Sequence, residues 1–119
     1  MTYKQGDIVI VPFPFSDLSS IKQRPVLILS KNIDNEKSDD IITCGITSNL
    51  KDSSYSVSIE NKSLVEGEIP KISRIKVNKL FTLDQSIIKK KIARLNKETF
   101  EKVKKEFFKL VWWYPINLL

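Results

Sequence analysis

Five short apolar runs recur along the chain: DIVIVPF from Asp7, RPVLILS from Arg24, DIITCGITS from Asp40, YSVSIE from Tyr55 and KISRIKVNKLF from Lys71. Polar stretches such as KNIDNEKSDD and NLKDSS separate them and read as loops. Short β-branched runs bounded by polar clusters predict strands, and this rhythm is that of a small barrel. The first two runs are apolar without alternation, as strands covered on both faces are. YSVSIE alternates strictly and is expected to be covered on one face. Pro12 and Pro14 are expected to end the first strand, because proline brings no donor to a sheet ladder.

Near the end the period changes. After Asn96, an N-cap by residue type, Phe100, Val103, Phe107, Leu110 and Val111 fall on one face of a terminal helix. Lys102, Lys104, Lys105 and Lys109 mostly fall off that stripe and read as its wet side. The tail VWWYPINLL is apolar and broken by Pro115, so it is expected to pack on the barrel or across a dimer; it is too short for a membrane role. At 119 residues the chain predicts a single domain over 1–119. No basic region followed by an apolar core and cleavage site opens it, which predicts a cytoplasmic protein.

Two absences bound the chemistry. The chain has no histidine and one cysteine, so Cys44 has no internal disulfide partner and a zinc site of the usual ligand types is not available. Acid–base catalysis by paired imidazoles is excluded, no carboxylate cluster suggests a two-metal site, and no cofactor is implied. Charge is unevenly spread: 8 acids and 6 bases up to Glu60, then 14 bases and 6 acids. A basic second half suits a polyanionic partner, nucleic acid or acidic protein, and equally a solvated surface.

Three places gather polar groups. In Arg24-Pro25 the proline holds its predecessor extended at the opening of a strand, where a planar guanidinium can hold a phosphate or carboxylate with two hydrogen bonds. A structural ion pair with Asp17 or Asp7 is the alternative. In IITCGITSNL, period two sets Ile42, Cys44 and Ile46 on one face and Thr43, Gly45 and Thr47 on the other. Thr47, Ser48 and Asn49 then crowd a strand end, as a phosphate-binding group or as a plain turn. Cys44, on the apolar side, reads as core filling. In SRIKVNKLF the alternation puts Arg74, Lys76 and Asn78 on one face, against Ile75, Val77 and Lys79. That polar stripe is either a floor for a nucleic-acid backbone or a solvent face.

Taken in order, GDIVIVPFPFSDLSSIKQRPVLILS, CGITSNL and SRIKVNKLFTLDQSIIKKKIARL resemble the MazF/PemK family of toxin endoribonucleases over nearly the whole chain. The resemblance implies a mainly β fold, an SH3-like barrel with a C-terminal α-helix. It also implies a homodimer, metal-independent cleavage of single-stranded RNA at short sequences, and neutralisation by an acidic antitoxin. By position, Arg24 and Thr47 match the family's arginine and threonine associated with catalysis at the scissile phosphate. Ser16 to Gln23 match its mobile loop, with Asp17 and Ser19 as candidate RNA contacts, and Lys76 is a candidate phosphate contact. Asn78 stands where several relatives carry an acid that takes part in catalysis or binding.

The implied reaction is attack of the ribose 2′-OH on the neighbouring phosphate, with Arg24 and Thr47 stabilising its oxygens. Proton transfer by Arg24 or by Asp17 stays open. Unpaired bases are the expected target, with Phe13, Phe15 and Phe81 as stacking surfaces or as core. Two other functions stand beside this one: a gyrase-poison toxin of similar fold, and a nonenzymatic nucleic-acid-binding barrel.

Overall fold

The computed structural model describes residues 3–14 and 21–112. Seven strands lie among them: β1 (Asp7–Pro14), β2 (Ile21–Ile28), β3 (Asp40–Thr47), β4 (Ser56–Ile59), β5 (Leu64–Gly67), β6 (Ser73–Asp84) and β7 (Lys90–Leu95). They form one antiparallel sheet in the order β4-β6-β3-β2-β1-β7-β5. A six-residue helix α1 (Asn32–Lys37) joins β2 to β3, and α2 (Lys97–Val111) follows β7. The architecture is the expected SH3-like barrel with a C-terminal helix.

The central strands are covered on both faces, as their unbroken apolar runs predict. Ile8, Val9 and Val11 of β1 and Val26, Leu27 and Ile28 of β2 are all fully buried. Ile8 and Leu27 point to the barrel interior with Cys44, Ile75 and Val77, whereas Val9, Val11, Val26 and Ile28 join Ile41 and Ile88 on the other face. β4 buries Val57 and Ile59 and exposes Ser58, so its alternation reports one covered face. Pro14 ends β1; Pro12 stays within it, past Ile10 where the pairing with β7 stops.

Helix α2 starts where expected. The Asn96 Oδ1 accepts the Thr99 amide at 2.8 Å, and Val103 is fully buried where the helix packs over β4 and β6. Phe100 and Phe107 are half-buried; Lys102, Lys104, Lys105 and Lys109 are exposed, as the apolar stripe predicts. Residues 113–119 of the apolar tail lie outside the described residues. Among those described, no helix is long and apolar enough to cross a membrane.

Three elements differ from the sequence reading. The stretch KNIDNEKSDD holds α1, fixed by a polar residue: Asn35 is buried and its Nδ2 donates to the carbonyls of Ser30 (3.1 Å) and Tyr3 (3.3 Å). β7 buries Ala93 and Leu95 between basic residues, and β5 pairs with it at the sheet edge. Gly67 ends β5 at φ 78°, where an added Cβ would sit 2.1 Å from the Ile92 carbonyl oxygen. Only glycine allows that approach.

Cys44 fills core, and burial pushes its thiol up to about 12. The folded protein is therefore expected to resist an aromatic disulfide reagent at pH 8 and to release one equivalent of thiol chromophore only when unfolded. Fast reaction under native conditions would show that Cys44 is reachable.

Candidate functional site

The site grows from the place where two strands part. The β2–β3 ladder runs Ile28↔Thr43, Leu27↔Cys44 and Val26↔Gly45, and its paired residues end there, one residue after Pro25. Proline has no amide hydrogen to give to a ladder, so the chains are free to separate. Carrying the same register two residues on sets Arg24 across from Thr47. Parity puts both side chains on the face of Val26 and Gly45.

β6 supplies the other wall. It pairs Arg74 with Thr47 and Lys76 with Gly45; then the register slips, and the next partner, opposite Cys44, is Leu80. Val77, Asn78 and Lys79 therefore lie between successive partners, and strict alternation does not carry across them. Lys79 consequently joins Lys76 along the same groove. This overturns the expected face assignment, which grouped Asn78 with Lys76 and set Lys79 opposite.

The resulting groove has a volume of about 670 Å³, with Arg24, Thr47, Asn49, Lys51, Lys76, Lys79 and Phe81 around a floor of Pro25 and Gly45. Five of the sequence candidates meet there: Arg24, Thr47, Asn49, Lys76 and Phe81. Ser48 instead faces a second cleft on the other side of Arg24. Asn78 is exposed and does not line the groove. Asp17, Ser19 and Phe15, and the side chain of Phe13, lie outside the described residues.

Hydrogen bonds fix the rim. Thr47 Oγ1 accepts the Asn49 amide at 3.1 Å and Asn49 Oδ1 accepts the Lys51 amide at 3.0 Å. The TSN segment is thus a turn and a groove wall at once. The Lys76 ammonium donates to Ser53 Oγ at 2.6 Å. Arg74 donates through Nε to Ser56 Oγ and through Nη2 to Asp52 Oδ1, both at 3.0 Å. Asp52, the one carboxylate on the groove among the described residues, is thereby paired with Arg74, and basic side chains predominate in the lining through Arg24, Lys51, Lys76 and Lys79.

Asp7, one of the ion-pair partners considered for Arg24, is buried and engaged elsewhere. Its Oδ1 accepts from Arg94 Nε at 2.8 Å, with Lys91 Nζ 3.6 Å away, and its Oδ2 accepts the Lys4 amide at 2.9 Å. That hydrogen bond to Asp7 raises the Arg94 pKa, and the one from Lys91 lowers that of Glu66.

Residues 4–111 match the PemK-like, MazF-like toxins of type II toxin–antitoxin systems. The chain belongs to this family. It is a MazF/PemK-like toxin of a type II toxin–antitoxin system.

Solved structures share its fold at low identity. An endoribonuclease from a mycobacterial species, in complex with its cognate antitoxin, is 17% identical with a TM-score of 0.76, over 95% of this chain and 99% of that one. The Deinococcus radiodurans MazE-MazF structure (Form-II) is 17% identical with a TM-score of 0.77, over 93% and 96%. The Mycobacterium tuberculosis toxin MazF-mt6 is 16% identical with a TM-score of 0.72, over 91% and 99%. Among curated protein sequences, none matches the chain.

The sequence reading missed Lys51, Ser53 and Lys79. Lys51 and Ser53 lie in a loop with no periodicity to orient them, and the register slip that turns Lys79 inward leaves no mark in composition.

Proposed function

We propose that this toxin cleaves single-stranded RNA in the groove between β2, β3 and β6, without a metal ion, by attack of a ribose 2′-OH on the adjacent phosphate. The observation that carries the reading is the meeting of Arg24, inside β2, and Thr47, at the end of β3, in one groove where the two strands part, flanked by Lys51, Lys76 and Lys79. Four cationic side chains favour a phosphate backbone and repel a bare cation.

Each group has a task. The Arg24 fork takes two nonbridging oxygens of the scissile phosphate as charge develops on them. Thr47 Oγ1 already accepts the Asn49 amide, so its hydroxyl hydrogen is available to one of the same two nonbridging oxygens. The 2′-oxygen bonds to phosphorus as the bond to the 5′-oxygen breaks, leaving a cyclic phosphate and a 5′-hydroxyl. The proton given up by the 2′-OH is matched by the one the leaving oxygen takes. Asn78 has no part in this scheme.

The same reading puts the toxin with its RNA in the cytoplasm, as a homodimer of single domains over 1–119. Its antitoxin is an acidic segment that competes for the positive groove. Family membership supports the antitoxin.

The test is purified protein with a long single-stranded RNA in EDTA, alongside the same RNA annealed to its complement. Discrete cuts ending in a 2′,3′-cyclic phosphate are expected in the single strand only, because bases are read when unpaired. Equal cutting of the duplex would sink the single-strand reading. Absence of cuts would favour a gyrase-binding toxin or a nonenzymatic barrel.

A further inference from the structure

We propose that the second cleft, on the far side of Arg24 from the groove, receives one unpaired nucleobase of the RNA, and that Gln23, Ser48 and Lys71 set which base it accepts. The inference rests on the RNA-cleavage reading and adds to it the element that selects sequence.

The two concavities have a common origin in strand geometry. Successive side chains on a strand leave opposite faces. The stretches of β2 and β3 that give Arg24 and Thr47 to the groove therefore give their neighbours, Gln23 and Ser48, to the other side. Arg24, Pro25 and Ile46 form the wall between groove and cleft. An RNA strand held by a phosphate on Arg24 lies across that wall, with an adjoining nucleotide at the mouth of the cleft.

The two sides differ in chemistry. The groove is edged by Lys51, Lys76 and Lys79 and suits phosphates. The cleft, with a volume of about 310 Å³, has Ile10, Ile92 and Pro70 as apolar walls and Gln23, Ser48 and Lys71 as polar lining. That volume is at the small end, roughly 300 Å³, of pockets that enclose small organic groups. A nucleobase needs this combination: apolar surface for its faces and a few donors and acceptors for its edge. A glutamine amide offers both a donor and an acceptor, a serine hydroxyl offers either, and a lysine only donates. Lys71 is held from behind, since Ser73 Oγ donates to its carbonyl at 3.0 Å.

Gln23, Ser48 and Lys71 are all exposed, so their replacement is not expected to unfold the chain. The experiment is cleavage of a random-sequence single-stranded RNA pool by wild type and by Gln23→Ala, Ser48→Ala and Lys71→Ala, with thermal melting of each protein. Cut sites are read by sequencing and normalised to total cuts. Preference at a single position beside the cut is expected to relax about 10-fold in at least one variant, the discrimination typical of a hydrogen-bonded base edge. Identical relative preferences in wild type and all three variants would overturn the inference. So would loss of all cutting by each variant with the fold intact, which would make these residues part of the phosphate site. No cutting by wild type would overturn the RNA reading itself, and the base cleft with it.

Discussion

Arg24→Ala is expected to lower RNA cleavage at least about 10³-fold while the protein melts within a few degrees of wild type. A single preorganised donor aimed at developing charge is worth about 10² to 10³ in rate, and Arg24 brings two donors together with a full charge. Its side chain is exposed, and a surface substitution costs about 0.5 kcal/mol or less. The loss should lie in kcat rather than in KM, because Lys51, Lys76 and Lys79 still attract the backbone. Arg24→Lys separates charge from shape: it keeps the cation and loses the planar fork, so activity is expected between wild type and alanine. Initial rates on an end-labelled RNA decide the matter. Cleavage by Arg24→Ala at the wild-type rate would remove Arg24 from the site.

Why these residues were legible, and their neighbours less so, follows from how each signal is written. β1 and β2 announce themselves because burial on both faces demands an unbroken apolar run, and Ile8, Val9, Val26 and Leu27 meet that demand. Arg24 is readable because Pro25 constrains the backbone on either side of it. The helix is readable from its cap, Asn96, and its stripe. β7 escapes notice because Lys90, Lys91 and Arg94 dilute Ala93 and Leu95, and α1 because its one buried anchor is the polar Asn35. The groove's third wall depends on a slip in register between Cys44 and Gly45, which is settled by pairing between strands far apart in the chain. Period-two reasoning fails there, which is why it sets Asn78 on the stripe of Lys76 while Lys79 is the residue that lines the groove.

The second large effect is on stability, away from the groove. Asp7 follows Gly6, whose φ of 90° turns the chain into β1. Its buried carboxylate meets Arg94 and Lys91 of β7 and the Lys4 amide, and both basic side chains reach on to Glu66 of β5. One carboxylate thus ties β1, β7 and β5 along one side of the sheet. Asp7→Ala removes the acceptor and leaves two cations facing each other at a site about three-quarters enclosed. Removing one partner of a fully buried pair costs about 3 to 5 kcal/mol; with Arg94 and Lys91 still touching solvent, about 2 to 3 kcal/mol is expected here. In a domain of this size that is a fall in Tm of roughly 10 °C. Glu66→Ala is the contrasting case, because Glu66 is half exposed and its cations keep Asp7, so its Tm should move by about 2 °C or less. Cleavage per folded molecule should survive Asp7→Ala at low temperature, since Asp7 does not line the groove. Equal melting temperatures for wild type and Asp7→Ala would mean that the carboxylate's burial costs as much as its ion pairs return. The Gly-Asp at the start of β1 would then need an explanation other than stability.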